Sequence, residues 1–287
     1  DFAAAAALFD AGVATVNASG VVTGVAAGNT TITATSKHDA SKKDSAQVTV
    51  TGGSTGEAPF LWNVSFGSDE DDAANGIAVD SLGNVILAGR TYGALDGVNL
   101  GGEDAFVGKF TSDGTEIWLV QFGTGEDDRL TSVVIDGNDD IYVAGETSGD
   151  LGGPNAGRSD AFLRKYTADG DVVWTEQFGT DASERGDDIA VDDDGNVFVN
   201  GMSWITGSSS GFVRKYQQAN DGLSVAEKWT TTFEWGVRQI AVLEDGNVVG
   251  IGSAWNEDMR DEAYVFKLDT DGDLVWESEF GTGRWFN

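Results

Sequence analysis

From about residue 60 onward, apolar residues fall into short runs separated by Gly, Asn and Asp, and the runs repeat. Residues 77–80 read Ile-Ala-Val-Asp and return as close variants at 133–136, 189–192 and 240–243. Each is followed by a turn of the Gly-Asn or Asn-Asp kind, and then by a second run at 85–89, 141–145, 197–201 or 248–252. A third run occupies 105–110, 161–166, 211–216 and 263–268. A fourth begins at Trp62, Trp118, Trp174, Trp229 and Trp276, each starting a W-x-x-x-F stretch that ends in Phe66, Phe122, Phe178, Phe233 or Phe280. β-Branched and aromatic runs bounded by turn formers predict strands. No segment between them has the length or the period of a helix.

The unit is therefore four short strands, repeated about every 50 residues. That is the arithmetic of a propeller blade. A stack of β-sandwiches is disfavoured because 50 residues cannot build two sheets around a core. A solenoid calls for shorter and more uniform coils. The prediction is an all-β chain: a β-propeller of four-stranded blades over 59–287, with four complete blades and one extra fourth-type strand at 60–66. The repeated Trp62, Trp118, Trp174, Trp229 and Trp276 are read as packing residues between blades.

The pattern W-x-x-x-F-G, then I-A-V-D-x-x-G-N-V-x-V-A-G, then D-A-F-V-x-K-Y-x-x-D-G resembles the bacterial seven-bladed propeller repeat family, abbreviated SBBP. The second and third blades match it best, and Phe233-Glu234 breaks the Phe-Gly of the pattern. The resemblance implies a secreted or surface-displayed prokaryotic protein acting as an interaction scaffold. Quinoprotein propellers share the turn and the Trp, but they need eight blades and a cofactor, for which this chain is short.

Residues 11–52 have a different texture, with three alternating strands and Gly turns that fit half of an Ig-like sandwich. They resemble the C-terminal half of bacterial Ig-like group 2 (Big2) domains, the tandem modules of surface adhesins. The expected organisation is a partial Ig-like domain at 1–52, a linker at 53–58 and propeller blades at 59–287. The unpaired strand at 60–66 leads to the expectation that the ring is incomplete here. A blade beyond Asn287 would then close against it; the alternatives are a five-bladed ring completed by another chain and an open array.

Charge narrows the function. The 287 residues carry 48 acidic and 17 basic side chains, a formal net charge of −31. Such a field repels nucleic acid and anionic lipid and attracts cations. The longest apolar run, 2–9, is too short to span a bilayer, so membrane insertion is not expected. The absence of Cys removes disulfides, thiolate metal sites and Cys nucleophiles.

Strand alternation places the long connections, 67–76 with 90–104 and 123–132 with 146–160, on one rim. Function concentrates on long loops held by a rigid scaffold, so this rim is the expected binding face for a protein or glycan. Its repeated acids Asp71, Asp72, Asp127, Asp128 and Glu184 are the candidate calcium ligands, calcium taking six to eight oxygens; solvated loop acids are the competing reading. Asp269, Asp271 and Asp273 begin like a calcium loop but align with hairpin turns. Trp204 and Trp255 stand outside the repeat position, in the expected second-to-third-strand loops, and are the candidate sugar-stacking residues. The single histidine, His38, lies away from the propeller, so no His-based triad or metal site is expected there. No cofactor is expected apart from calcium. The functional expectation is a non-catalytic extracellular or cell-surface scaffold or adhesion protein, part of a larger assembly. A calcium-assisted lectin-like module and a glycan-active enzyme with a carboxylate pair are the alternatives.

Overall fold

The computed structural model describes residues 14–16, 22–24, 28–35, 43–50, 65–205, 208–255 and 261–280. The chain divides into two compact units, 1–63 and 64–287. In the first, β1 (Ala14–Val16) pairs antiparallel with β2 (Val22–Gly24), and β3 (Gly28–Thr35) with β4 (Lys43–Val50). The described residues there form two two-stranded pairings, and two short strands stand where one was expected before residue 28. The two facing sheets of an Ig-like sandwich are not among them.

The second unit is built of four antiparallel four-stranded sheets, each in simple up-and-down order. Blade 1 is β5 (Asp72–Val79), β6 (Val85–Thr91), β7 (Asp104–Phe110) and β8 (Glu116–Phe122). Blade 2 is β9 (Asp128–Ile135), β10 (Ile141–Thr147), β11 (Asp160–Tyr166) and β12 (Val172–Phe178). Blade 3 is β13 (Ser183–Val191), β14 (Val197–Ile205), β15 (Ser208–Gln218) and β16 (Val225–Phe233). Blade 4 is β17 (Gly236–Val242), β18 (Val248–Trp255), β19 (Asp261–Leu268) and β20 (Leu274–Phe280). The first strands β5, β9, β13 and β17 neighbour one another in turn. This is the radial arrangement of propeller blades, and there is no helix among the described residues.

A single sheet of this size cannot bury both faces by itself, so the core lies between blades. Each junction has its own apolar cluster, one around Ile86, Val107, Leu130 and Phe162, one around Leu163, Trp174, Val199 and Phe212, and one around Phe198, Val213, Val237 and Phe266. The last residue of W-x-x-x-F drives the junction. Phe122 meets Phe162 and Tyr166 of the next blade at 6.2 and 6.3 Å, and Phe178 meets Phe212 and Tyr216 at 5.9 and 5.8 Å. Arg164 and Arg214 stack on these two rings at 4.1 and 4.3 Å. Phe66 meets Phe106 and Phe110 of blade 1 at 5.8 and 5.2 Å, and so occupies the place a preceding blade's Phe would take. Residues 60–64 of the expected extra strand, with Trp62, lie outside the described residues.

The repeated Trp leans on the third-to-fourth-strand turn of the following blade. Trp118 Nε1 lies 3.4 Å from Ala168 O and Trp229 Nε1 donates to Thr270 O at 2.9 Å. Gly170 and Gly272 in those turns have φ of 92° and 87°, and a Cβ on either would strike the indole within 3.0 Å. Trp174 is 8% exposed, whereas Trp276, with no following blade among the described residues, is 44% exposed.

Two details of the blades yield measurable consequences. At Gly145 the ladder shifts register against β9, and a Cβ would lie 2.0 Å from Arg129 O; Gly89 and Gly201 repeat the approach at 2.0 and 1.9 Å. Gly145→Ala should destabilise the protein by about 2–3 kcal/mol, read as a lower urea midpoint at unchanged slope. Gly137→Ala, where a Cβ meets nothing within 4 Å, should cost under ~1 kcal/mol. On the turn rim, Asp80 is buried against Lys109, Nζ to Oδ2 3.0 Å, and accepts from Asn84. Burial opposes its ionisation, but the Asn84 hydrogen bonds and Lys109 prevail and bring its pKa down to about 2. A depressed folded-state pKa contributes stability that is complete above about pH 4 and is lost as pH falls toward about 2. The stability gap between the parent and Asp80→Asn should therefore narrow through that window in acid titrations.

Candidate functional site

The long connections do share a rim. The loops 92–103 and 148–159, 12 residues each, meet the inter-blade connections 67–71, 123–127 and 179–182 through main-chain hydrogen bonds. Tyr92 N donates to Asp71 O at 2.9 Å, Ser148 N to Asp127 O at 2.8 Å and Arg158 N to Ala182 O at 3.0 Å.

These loops carry no regular structure, yet each is held by the same pair of side chains. The Oε1 of Gln121 on β8 accepts from Leu95 N and Asp96 N at 2.7 and 3.1 Å, while its Nε2 donates to Gly93 O and to Asp104 Oδ2. Asp104 Oδ2 also accepts from Leu100 N at 2.8 Å. Blade 2 repeats the device: Gln177 Oε1 accepts from Leu151 N, Gly152 N and Gly153 N, and Gln177 Nε2 donates to Gly149 O and Asp160 Oδ2. Asp160 Oδ2 accepts from Ala156 N at 3.0 Å. A loop whose amides are satisfied by buried and half-buried side chains at the ends of the sheet strands is pre-organised, which lowers the entropy a partner must remove on binding.

Gln121, Gln177, Asp104 and Asp160 were not among the expected site residues, although their signal was present. Blades 1 and 2, with 12-residue loops, have Gln before the final Phe and Asp before Ala-Phe. Blades 3 and 4, with short connections, have Thr232 and Glu279, and Ser210 and Glu262, at those places.

The five expected calcium ligands separate into two groups. Asp71 and Asp127 are exposed loop residues, and Asp127 Oδ1 accepts from Glu103 N at 3.0 Å. Asp72, Asp128 and Glu184 lie in first strands and turn back to cap the connection that precedes them. They accept from Ser68 N at 2.6 Å, Thr124 N at 2.6 Å and Thr180 N at 3.2 Å. No group of three or more His, Cys, Asp or Glu converges on one point among the described residues.

The rim is also more mixed in charge than its acid count suggests. Glu103, buried, pairs with Arg90 and with Arg129 at 3.0 Å, and Arg129 continues to Glu146 at 3.0 Å. Burial pushes the Glu146 carboxyl up against the pull of Arg129 and Arg185. Exposed acids remain on the loops above this network, at Asp69, Glu70, Asp96, Glu126, Asp127 and Asp150.

Trp204 and Trp255 are not in loops. Both lie in the last two residues of second strands, opposite Ser209 and Asp261, because short connections let the β14–β15 and β18–β19 ladders run on. Arg185 stacks on the Trp204 ring at 5.2 Å. Trp204 lines a hollow of about 310 Å³ with Met202, Trp235 and Arg238. Trp235 is stacked on Tyr264 at 4.8 Å and 10°. The side chain of Trp255 lies outside the described residues.

Comparison with known proteins follows the same lines. The SBBP beta-propeller repeat matches residues 117–152. Regulatory protein FlaEY of Caulobacter vibrioides is 27% identical over 166 residues, which cover 52% of this chain and 17% of that protein. The chain thus matches less than a fifth of the length of that curated relative. Among solved structures, Saccharomyces cerevisiae Sqt1 aligns with a TM-score of 0.45 at 10% identity, over 74% of this chain and 49% of that one. A polysaccharide lyase of family PL25, an ulvan lyase, aligns at 0.45 and 13%, over 71% and 54%. A Dyadobacter fermentans protein of unknown function aligns at 0.46 and 11%, over 97% and 83%.

The loop pins make a direct prediction. Gln177→Ala should speed amide exchange at residues 151–153 by at least about tenfold, because three amides lose one acceptor. Amides in the β10–β11 ladder should keep their protection in the same hydrogen-exchange experiment.

Proposed function

We propose that the chain is a non-catalytic binding scaffold whose partner face is the long-loop rim, and that its partner is a protein presenting a basic surface. The observation that carries this reading is the pinning of both 12-residue loops by Gln121 with Asp104 and by Gln177 with Asp160. Rigid loops that expose acids suit recognition, and charge complementarity sets its rate and specificity. The buried carboxylates of the rim are engaged in holding backbone amides, a structural use that argues for binding over turnover. An extracellular or cell-surface setting, within a larger assembly, fits the repeat and the strongly acidic composition. A relative that is itself named a regulatory protein is in keeping with a binding role.

The hollow beside Trp204 supports a second reading, a lectin-like module, since a half-buried indole flanked by Arg238 and Glu234 suits stacking on a sugar ring.

Surface-plasmon measurements on the whole chain, against a set of basic proteins and a set of neutral polysaccharides, separate the two. The first reading expects salt-sensitive binding to basic proteins. The triple variant Asp96→Asn, Asp127→Asn, Asp150→Asn should weaken it about tenfold, or ~1.4 kcal/mol, while Asp113→Asn with Asp169→Asn on the turn rim leaves it unchanged. Salt-insensitive polysaccharide binding abolished by Trp204→Ala would replace the first reading with the second.

A further inference from the structure

Gly123 and Gly179 follow the Phe of W-x-x-x-F and stand at the first two blade junctions. A Cβ at Gly123 would lie 2.6 Å from Asp104 Oδ1 and 3.0 Å from Asp128 Oδ2. At Gly179 it would lie 2.1 Å from Asp160 Oδ1 and 3.1 Å from Glu184 Oε2. Each junction therefore brings together two carboxylates over a bare glycine, one from the third strand of a blade and one from the first strand of the next. All four side chains belong to buried residues, with Asp104 and Asp128 at 0%, Asp160 at 1% and Glu184 at 4% exposure.

The pairs lack compensating charge. Among the described residues no Lys or Arg forms an ion pair with any of the four. Asp104 Oδ1 and Asp160 Oδ1 accept no hydrogen bond, although the other oxygen of each holds a loop. Burial, with the neighbouring Asp104 charge adding to it, pushes the Asp128 carboxyl up against hydrogen bonds from Thr147 and Thr124. Two like charges out of water, with one unused oxygen, Asp104 Oδ1 or Asp160 Oδ1, beside each glycine, require either a cation or a proton.

The third junction is built without the acid pair. Register places Ser210 where Asp104 and Asp160 stand, because Gly211 faces Phe233 as Ala105 faces Phe122. It places Trp235 where Asp128 and Glu184 stand, because Gly252 faces Val237 as Gly145 faces Leu130 and Gly201 faces Gly186, and each of those positions lies two residues earlier. Both acids are gone, and the glycine is gone with them, replaced by Glu234. The connection is shorter there too, 234–235 against 123–127 and 179–182, so the acids, the glycine and the longer connection are lost together.

We propose that each of the first two junctions binds one calcium ion between blades, one held by Asp104 with Asp128 and the other by Asp160 with Glu184. Two carboxylates balance one divalent ion, and hard oxygen donors of this kind suit calcium, with water free to complete its shell. The ion ties the end of one blade to the start of the next, beneath the loops that Asp104 and Asp160 hold. The sites do not depend on which partner the rim recognises.

Calorimetric titration of the whole chain, stripped with chelator and then given calcium chloride, tests this. Two sites are expected, and at a hundredfold excess over Kd calcium should raise Tm by at least about 5 °C. Asp104→Asn with Asp128→Asn should remove one site, and Asp160→Asn with Glu184→Gln the other. Should either pair fail to fold, Gly123→Ala and Gly179→Ala crowd the same carboxylates and should each lower the stoichiometry by one. Calcium binding unchanged in all four variants would place the ion elsewhere and overturn the proposal. So would absence of binding, with the amide variants at least as stable as the parent at neutral pH, since the acids would then share a proton.

Discussion

The structure depends on the insertion of one blade's terminal Phe into the third strand of the next blade. Phe122 against Phe162 and Tyr166, and Phe178 against Phe212 and Tyr216, place an aromatic plug where neither sheet could bury its own face. At the third junction Phe233 meets Phe266 at 4.7 Å, with Trp235 packed beside it. Each blade becomes stable only when its neighbour is in place, which makes the array a sum of nearest-neighbour interfaces. Phe66 shows how far this goes: it plugs blade 1 in the same manner, from a segment that is not one of that blade's own four strands.

Insertion of the plug fixes what surrounds it. The residue after Phe122 or Phe178 has to pass between two carboxylates, and only glycine leaves room for them. The residue before it, Gln121 or Gln177, is then aimed at the underside of a 12-residue loop. Three consecutive residues, the last two of the fourth strand and the glycine after it, thus hold the loop, pack the core and clear the space for the acid pair. The rim's rigidity is therefore a consequence of blade packing, and a binding face on it inherits the stability of the junction beneath.

The opposite rim is built differently. Its hairpins are closed by Asp side chains that accept their own turn amides, as Asp80, Asp136 and Asp192 each do. Links between blades there are polar: Ser81 donates to Asp139 across one junction, and Lys109 reaches Ala168 O. Acids on both rims accept from amides four residues away, and what sets the long-loop rim apart is the reach of Gln121 and Gln177 to amides some 25 residues distant.

The repeat, the four strands per unit, the rim carrying the long loops and the place of the Trp and Phe in the last strand were all legible from the sequence. Periodicity reports burial, and burial between identical units repeats at the same positions. The two pairings in residues 14–50 were legible only as strands, since alternation marks a strand without naming its partner sheet. The roles of the acids were not legible. Asp127 and Asp128 are adjacent and alike in the chain, yet one is exposed and the other buried over Gly123, because successive residues of an extended backbone point to opposite sides. Trp204 read as a loop residue because a ladder's end depends on the length of the connection beyond it, which only the register reveals. Sequence determined which residues recur. Tertiary structure decided which of them meet, because Asp104 and Asp128 come together only when two separate blades close on the same Phe.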